Sequence, residues 1–142
     1  MRKSNATAEW TGNLQQGKGN MELGSGSFSG AFSFGTRFGA DRGTNPEELI
    51  GAALAGCFSM ALANGLSEAG HVPDAINTAA EVSFGVGDGG PAISGIHLTV
   101  QGRVPGLDQA AFSEFAEQTS RACPVSKALA GTSITVSAEL LS

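Results

Sequence analysis

The sequence predicts an α+β fold in which an antiparallel sheet packs on one face against helices. Three observations predict it. Apolar and polar residues alternate near the amino terminus and again after residue 75, an uncharged run from Leu49 to Leu66 lies between these segments, and a second helical segment precedes the last alternating one. The predicted order is β-β-β-α-β-β-α-β. A chain of 142 residues with 41% hydrophobic residues fits one domain, residues 1–142.

The first forty residues predict strands separated by glycine-rich turns. Residues 6–11 alternate small or aromatic side chains with polar ones, and the segments GKGN and GSGSFSG supply turns. Phe32 and Phe34 predict a further strand that continues into Thr36, Arg37 and Phe38.

A long helix is predicted to follow. Asn45 is a suitable N-cap, Pro46 suits the first helical position, and Glu48 suits the partner position of a capping box. The helix should continue to about Ala69 and end at Gly70. Its uncharged run is just long enough to span a membrane, but it contains glycines and alanines where a span would carry larger apolar residues. The composition therefore favours a buried central helix.

The second half predicts a hairpin, a helix and a closing strand. The hairpin is joined by a loose loop, GVGDGGPAIS, which matches GxGxxG in form but precedes a strand instead of the helix that a dinucleotide site requires. Asp108 is the predicted N-cap of the second helix, and a helical turn should run from Pro124 to Leu129. One face of the first hairpin strand is predicted to carry Ala80, Val82, Phe84 and Val86, and one face of the second Ile96, Leu98, Val100 and Val104. The buried side of the second helix should carry Phe112, Phe115 and Ala116, and the closing strand contains Ile134, Val136, Ala138 and Leu140.

The charge balance limits the classes of partner. The net charge is −5 with only 8 Lys and Arg residues, which argues against nucleic-acid binding.

The segment MRKSNATAEW is not followed by an apolar stretch of the kind that a signal peptide carries, so we expect a cytoplasmic protein. In that reducing compartment two cysteines are more often catalytic or metal-binding than a permanent disulfide.

Cys57 and Cys123 are the two cysteines of the chain. Cys123 precedes Pro124, where a short helix should begin, and the positive end of a helix favours a thiolate. Cys57 lies on one helical stripe with other apolar residues and by itself fits a packing role. His71 and His97 show no zinc-ligand spacing, so we expect no metal site.

The segments around these cysteines carry a family resemblance. GTNPEELIGAALAGCFSMAL together with ACPVSKAL resembles the OsmC branch of the OsmC/Ohr family of thiol peroxidases, and the similarity runs from AEWTGNLQQGKG through FGTRF to the last strand. The resemblance implies an OsmC-like fold and an intertwined homodimer with the long helices at its centre. It also implies reduction of organic hydroperoxides, with hydrogen peroxide a secondary substrate, in osmotic or oxidative stress.

The resemblance also implies roles for four residues. Cys57 takes the position of the peroxidatic cysteine, and Cys123 would resolve its sulfenic acid as a disulfide that dihydrolipoyl groups on partner proteins reduce. Arg37 matches the active-site arginine and Glu47 the catalytic glutamate, which would orient Arg37 through a bidentate pair. The Ohr branch draws its arginine from near the first hairpin, where this chain offers Lys18 as a reserve candidate. No cofactor is implied.

Helix geometry predicts how these residues meet. Glu47 and Cys57 are ten residues apart, so on one helix they lie about 15 Å apart along the axis and are turned about 80° from each other. Either Arg37 and its loop bridge this gap, or a second chain supplies Glu47; we favour the second arrangement. Phe38, Phe58 and Met60 are apolar side chains near the motifs that would favour organic peroxides.

Two other functions compete with a peroxidase. A cysteine hydrolase or acyl transferase would need a histidine to activate the thiol, and neither histidine lies in a convincing motif. A non-catalytic small-ligand carrier or structural dimer would need the cysteines only for packing.

Overall fold

The computed structural model describes all residues, 1–142, and confirms the α+β class. The residues group into two compact units, Met1–Leu49 and Ile50–Ser142. The predicted single domain stays a prediction. In chain order the elements are β1 Ala6–Thr11, β2 Lys18–Leu23, β3 Ser29–Phe32, α1 Phe34–Phe38, α2 Pro46–Glu68, β4 Ala75–Gly87, β5 Gly90–Arg103, α3 Gln109–Ala122, α4 Pro124–Ala128 and β6 Ile134–Leu140.

The first unit is built on an antiparallel sheet in the order β1-β2-β3. Trp10 on β1 lies against Phe32 on β3, with ring centroids 5.4 Å apart. All residues of β1 are exposed, and no buried hydrophobic residue belongs to this unit. Three strands usually need a buried apolar face to be stable by themselves. This sheet therefore lacks an apolar core of its own.

The segment after β3 corrects one prediction. Residues Phe34–Phe38 form helix α1, whereas the sequence predicted that the strand would continue through Thr36, Arg37 and Phe38. Ser33 explains the difference, because its hydroxyl accepts from the Thr36 backbone N–H while the Thr36 hydroxyl accepts from the Ser33 backbone N–H. This reciprocal cap ends the strand and starts a helical turn.

Helix α2 begins and ends where the sequence predicted, within one residue. The Glu48 backbone N–H donates to Oδ1 of Asn45 at 2.8 Å, which confirms Asn45 as the N-cap. Gly70 has φ +90° and the His71 N–H donates to the Leu66 carbonyl at 2.8 Å, which is the end that a glycine in the left-handed region allows. By length and mean hydropathy, 1.7, α2 is a candidate membrane span, a test that core helices also pass.

The core of the second unit lies between one face of α2 and the sheet β4-β5-β6. Strand β4 pairs antiparallel with β5 as predicted, but β6 pairs parallel with β5, which corrects the prediction of an antiparallel sheet at this position. The crossover that a parallel pair requires is formed by α3 and α4. The β4–β5 hairpin is tighter than the predicted loose loop, since pairing continues to Gly87 and Gly90. The buried apolar residues are Leu54, Phe58, Leu62, Leu66, Ile96, Leu98, Val100, Val104, Phe112, Ala116 and Cys123.

The opposite face of α2 is exposed and carries small residues. Ala52, Ala53 and Gly56 are exposed, and the Met60 side chain on the same face is 77% exposed. No atom of the chain lies within 4 Å of the position that a Cβ on Gly56 would occupy. Two helices can approach closely where both carry small residues. The face Ala52, Ala53, Gly56 and Met60, here called the open face of α2, is thus shaped for another helix.

Helix α3 covers the end of the sheet and positions the second cysteine. Its N-cap is Asp108, whose Oδ1 accepts from the Ala111 N–H at 2.8 Å, as predicted. Phe112 and Ala116 are fully buried. A side chain at Gly102 on β5 would collide with the Phe112 ring, so glycine is required where α3 crosses the strand.

Candidate active site

Cys57 lies midway along α2, at the border between its core face and its open face. The side chain packs against the buried cluster and is partly exposed. Its neighbours one turn away are Ala53, which is exposed, and Ala61, which is partly buried. This position keeps the thiol anchored by packing while leaving one side of the sulfur accessible.

Cys123 lies at the junction of two helices and is fully buried. It is the C-cap of α3, where its N–H donates to the Thr119 carbonyl at 2.9 Å, and it is also the N-cap of α4. Pro124 forces this break because it has no N–H to continue the α3 ladder and its ring fits the first position of a new helix. The predicted helical turn after Cys123 is present and ends at Ala128, one residue early.

The two sulfurs meet although 66 residues separate them in the chain. The distance from Sγ of Cys123 to Sγ of Cys57 is 2.9 Å, and both cysteines are free thiols. A disulfide bond is about 2.05 Å long, so less than 1 Å of movement would bring the sulfurs into bonding distance. The arrangement is therefore suited to a disulfide that forms and breaks.

The surroundings of the two thiols affect their pKa values in opposite directions. Burial, followed by the hydrogen bond with Cys123, raises the pKa of Cys57. Burial alone would also raise the pKa of Cys123, but the hydrogen bond with Cys57 and the favourable interactions with the backbone and hydroxyl of Ser126 and with the Val125 backbone together lower it. For Cys57, burial and the hydrogen bond with Cys123 outweigh the interaction with the Val125 backbone, which lowers the pKa of this thiol, and their net effect favours the neutral thiol.

Ser126 is the site residue that the sequence interpretation missed. It lies three residues after Cys123 on α4 and is 5% exposed. Its hydroxyl makes no hydrogen bond of standard geometry, yet it lies near enough to Sγ of Cys123 to lower the pKa of that thiol. The available signal was the spacing Cys-Pro-x-Ser, which puts a small hydroxyl one helical turn after the cysteine.

Arg37 and Glu47 form the second pair, in the first unit. Nη2 of Arg37 lies 2.7 Å from Oε1 of Glu47, and Nε donates to the same oxygen at 2.9 Å. Two nitrogens of the guanidinium thus meet one oxygen of the Glu47 carboxylate. The Glu47 side chain is 8% exposed and that of Arg37 38%. Glu48 is exposed and its backbone N–H donates to the N-cap Asn45, so the two neighbouring glutamates lie in different surroundings.

The three apolar residues predicted near the motifs differ in their exposure. Phe58 is fully buried, so the prediction that it is available near Cys57 to favour organic peroxides is wrong, because it lies on the core face of α2. Phe38 stacks on Phe34 within α1, with ring centroids 4.6 Å apart. Met60 is exposed on the open face of α2.

A groove with a volume of about 420 Å³ lies between α2 and α3. Its lining includes Ala61, one turn after Cys57, and Ala122, which precedes Cys123, but neither cysteine itself. The residues lining the groove are Ala61, Asn64, Gly65, Glu68, Phe115, Gln118, Thr119 and Ala122.

His97 faces away from the core that contains Cys123. Nδ1 of His97 lies 2.6 Å from the Thr135 hydroxyl and Nε2 lies 3.1 Å from that of Ser137. His97 alternates with Ile96 and Leu98, so it lies on the face of β5 opposite the core that contains Cys123. No group of three or more His, Cys, Asp or Glu side chains in the structure could hold a metal ion.

Comparisons with known proteins bear on this arrangement. The sequence pattern of the OsmC-like protein family matches residues 39–139, which include both cysteines and Glu47. This chain belongs to the OsmC-like family. A relative from Escherichia coli (strain K12), named Peroxiredoxin OsmC, is 46% identical over 123 residues, which cover 86% of each protein. The protein of the same name from Shigella flexneri is equally similar.

Solved structures of OsmC-like proteins share the fold. The organic hydroperoxide resistance protein OhrB of Bacillus subtilis superposes with a TM-score of 0.72 at 28% identity, covering 96% of this chain and 97% of that one. An organic hydroperoxide resistance protein from Elizabethkingia anophelis gives a TM-score of 0.76 at 25% identity, covering 98% of both chains. The family resemblance and the OsmC-like fold predicted from the sequence are thereby confirmed.

Proposed function

We propose that this protein reduces organic hydroperoxides through a Cys57 sulfenic acid and a Cys57–Cys123 disulfide, in defence against oxidative and osmotic stress. That the protein is a thiol-dependent peroxidase follows from its 46% identity to a relative named a peroxiredoxin. The observation that supports the disulfide mechanism is the pair of free thiols 2.9 Å apart, one partly exposed and one fully buried. Because such a chemistry suits a reducing compartment, we propose a cytoplasmic protein.

The proposed reaction has two oxidative steps. The Cys57 thiolate attacks one peroxide oxygen, the O–O bond breaks, and the alkoxide takes a proton and leaves as an alcohol. The sulfur retains the other oxygen as sulfenic acid. Cys123 then attacks Sγ of Cys57, the sulfenic hydroxyl leaves with a proton as water, and the disulfide is formed. An external dithiol, which we propose to be a dihydrolipoyl group, restores both thiols.

Arg37 and Glu47 supply the charge that Cys57 lacks in its own chain. A guanidinium close to Cys57 would favour the thiolate and could donate to the peroxide oxygens, while the nearly buried Glu47 holds the guanidinium in one orientation. Burial raises the pKa of Cys57 when the chain is considered alone. A cation brought to the sulfur is therefore the simplest way to activate it.

We propose that a second copy of the chain brings this charge. On helix α2, ten residues separate Glu47 from Cys57, which corresponds to about 15 Å along the axis. If the open faces of two α2 helices pack antiparallel about a two-fold axis, Glu47 of one copy approaches Cys57 of the other. The exposed alanines and Gly56 favour such packing, and a homodimer would also cover the apolar surface that the first unit leaves exposed.

The preference for organic peroxides is supported by the groove between α2 and α3. It includes Ala61, one turn after Cys57, and Ala122, next to Cys123, and together with Gly65 and Phe115 these residues offer an apolar surface for an organic tail. Hydrogen peroxide has no tail to bury and would gain nothing from this surface. We therefore expect it to be the slower substrate.

Counting thiols during exposure to cumene hydroperoxide tests the proposal. A peroxidase with this mechanism loses two thiols per chain and releases one equivalent of the alcohol. A cysteine hydrolase or a non-catalytic carrier loses no thiols under the same conditions, and that result would overturn the proposed function. Acetyl-ester hydrolysis measured on the same sample separates these two alternatives from each other.

A further inference from the structure

The two sulfurs differ in how far solvent can reach them. Cys123 has no exposed surface, whereas Cys57 is partly exposed at the edge of the open face of α2. When the sulfurs are joined in a disulfide, an external thiolate can therefore approach Sγ of Cys57 only. Thiol–disulfide exchange depends on this access and on how well the departing sulfur carries negative charge.

The buried sulfur is surrounded by groups that stabilise negative charge. Cys123 is the N-cap of α4, so Val125 and Ser126 lie in the first turn after it, and their backbone groups and the Ser126 hydroxyl favour the charged form of Cys123, although none makes a capping hydrogen bond of standard geometry to its sulfur. Ser126 is only 5% exposed, and its hydroxyl has no hydrogen-bond partner of standard geometry in the reduced protein. A buried hydroxyl without a full hydrogen bond is costly, and such groups call for a functional explanation.

We propose that Ser126 is a positioning residue for disulfide reduction: the external dithiol attacks Sγ of Cys57, and Ser126 donates to Cys123 as it departs as a thiolate. This inference rests on the Cys57–Cys123 disulfide of the proposed function. Accessibility selects the attacked sulfur, and the groups around Cys123 make it the better leaving group. The Ser126 hydroxyl then has a strong hydrogen-bond acceptor, the Cys123 thiolate, which the neutral thiol does not provide.

The atoms and electrons of this step balance. A thiolate of the dithiol forms a bond to Sγ of Cys57 while the Cys57–Cys123 bond breaks and its electron pair stays on Cys123. The second thiol of the reductant then attacks the reductant sulfur that is bonded to Cys57. This closes the ring of the reductant and releases Cys57 as a thiol. The reductant leaves as a cyclic disulfide, having lost two electrons, and its two protons end on the two cysteines.

Peptide mapping of a trapped intermediate tests where the reductant attacks. The purified protein is oxidised with diamide, so that the disulfide forms even if the peroxide reaction fails, and is then mixed with glutathione and quenched in acid. We expect the glutathione adduct on Cys57. An adduct found mainly on Cys123 would overturn the proposal.

The Ser126→Ala variant tests the second half of the proposal, with Ser120→Ala as a matched control one turn before Cys123. Ser126→Ala should slow reduction of the diamide-formed disulfide by dihydrolipoamide roughly threefold to tenfold, because the departing thiolate is less stabilised. It should also raise the pKa of Cys123, followed by thiolate absorbance in a Cys57→Ser background. Peroxide oxidation of Cys57 and all rates of Ser120→Ala should stay within about twofold of wild type.

Three outcomes of these measurements would count against Ser126. One is an unchanged reduction rate with an unchanged Cys123 pKa, and another is equal slowing of oxidation and reduction, which indicates a structural role. The third is an adduct on Cys123 in the wild-type protein, which does not depend on how well the variant folds. If diamide forms the disulfide and cumene hydroperoxide does not, the proposed function fails while this inference is still tested.

Discussion

The thiol pair and the ion pair of this protein are held by very different means. Cys57 and Cys123 belong to the unit with the apolar core, and side chains such as Leu54 and Phe58 fix the helix that carries Cys57. Arg37 and Glu47 belong to a unit in which no hydrophobic residue is buried. The thiol pair is complete within one chain, whereas the ion pair is positioned by local capping and by the start of α2.

This difference indicates what each pair contributes. Disulfide chemistry needs two sulfurs at a fixed short distance, which a packed core supplies. The proposed activation of Cys57 needs a nearby positive charge, since burial raises the pKa of this thiol. The comparison leads to the central proposal of a site whose sulfurs come from one chain and whose charges come from another.

Removing the two sulfurs singly should give the largest effects. Cys57→Ser should abolish turnover and also the first oxidation, because the buried Cys123 is inaccessible to peroxide. Cys123→Ser should keep one rapid oxidation but accumulate sulfenic acid, which excess peroxide converts to sulfinic acid. Single-turnover kinetics with mass spectrometry separate the two variants. Equal oxidation rates in both would remove Cys57 as the nucleophile.

Removing the charge should have a smaller but still large effect. Arg37→Ala should slow oxidation at neutral pH by about 10- to 100-fold, because the thiolate loses its stabilising cation and the pKa of Cys57 rises further. Activity should recover partly as pH increases, since more of the thiol is then ionised. Alkylation rates of Cys57 measured against pH report this shift.

The control for Arg37→Ala is Arg42→Ala, which removes an exposed arginine of the same unit. Arg42→Ala should leave both the alkylation profile and the peroxidase rate unchanged. If Arg37→Ala gave the same alkylation profile as the wild type, the guanidinium would have no part in activating the thiol.

Filling the open face of α2 should affect association more than chemistry. Helix propensity alone predicts that Gly56→Leu stabilises an exposed helix by up to about 1 kcal/mol. If a second α2 packs there, the added side chain should instead raise the dimer dissociation constant at least about tenfold. Gly65→Ala is the control, because its added Cβ would only touch the Phe115 ring at 3.9 Å. Sedimentation equilibrium measures both, and unchanged association of Gly56→Leu would exclude this face.

The sequence predicted most of the elements because their signals are local. Asn45 caps α2, Gly70 ends it and Asp108 caps α3, and each depends only on residues within one helical turn. The strand predicted through Thr36 was wrong for a local reason as well. The prediction followed the alternating phenylalanines, whereas the reciprocal cap of Ser33 and Thr36 decides the structure.

The candidate site was less predictable because its contacts are distant in the chain. Motifs placed Cys57 and Cys123 in the site by resemblance, but their separation of 2.9 Å depends on how α2 and α3 pack. Phe58 was predicted near the site because it follows Cys57 in the sequence. Its helical position, on the same face as Leu54 and Leu62, instead buries it in the core. Ser126 was missed because a serine one turn after a cysteine has no role until its burial is known.

The measurement that tests the shared site most directly is complementation between two inactive chains. Glu47→Ala and Cys57→Ser chains carrying different tags are co-expressed, and the heterodimer is purified through both tags. It contains one site with an intact Cys57 from one chain and an intact Glu47 from the other, so we expect about half of the wild-type activity from its two-fold arrangement. A pure heterodimer that is no more active than its inactive parents would contradict a site built from two chains.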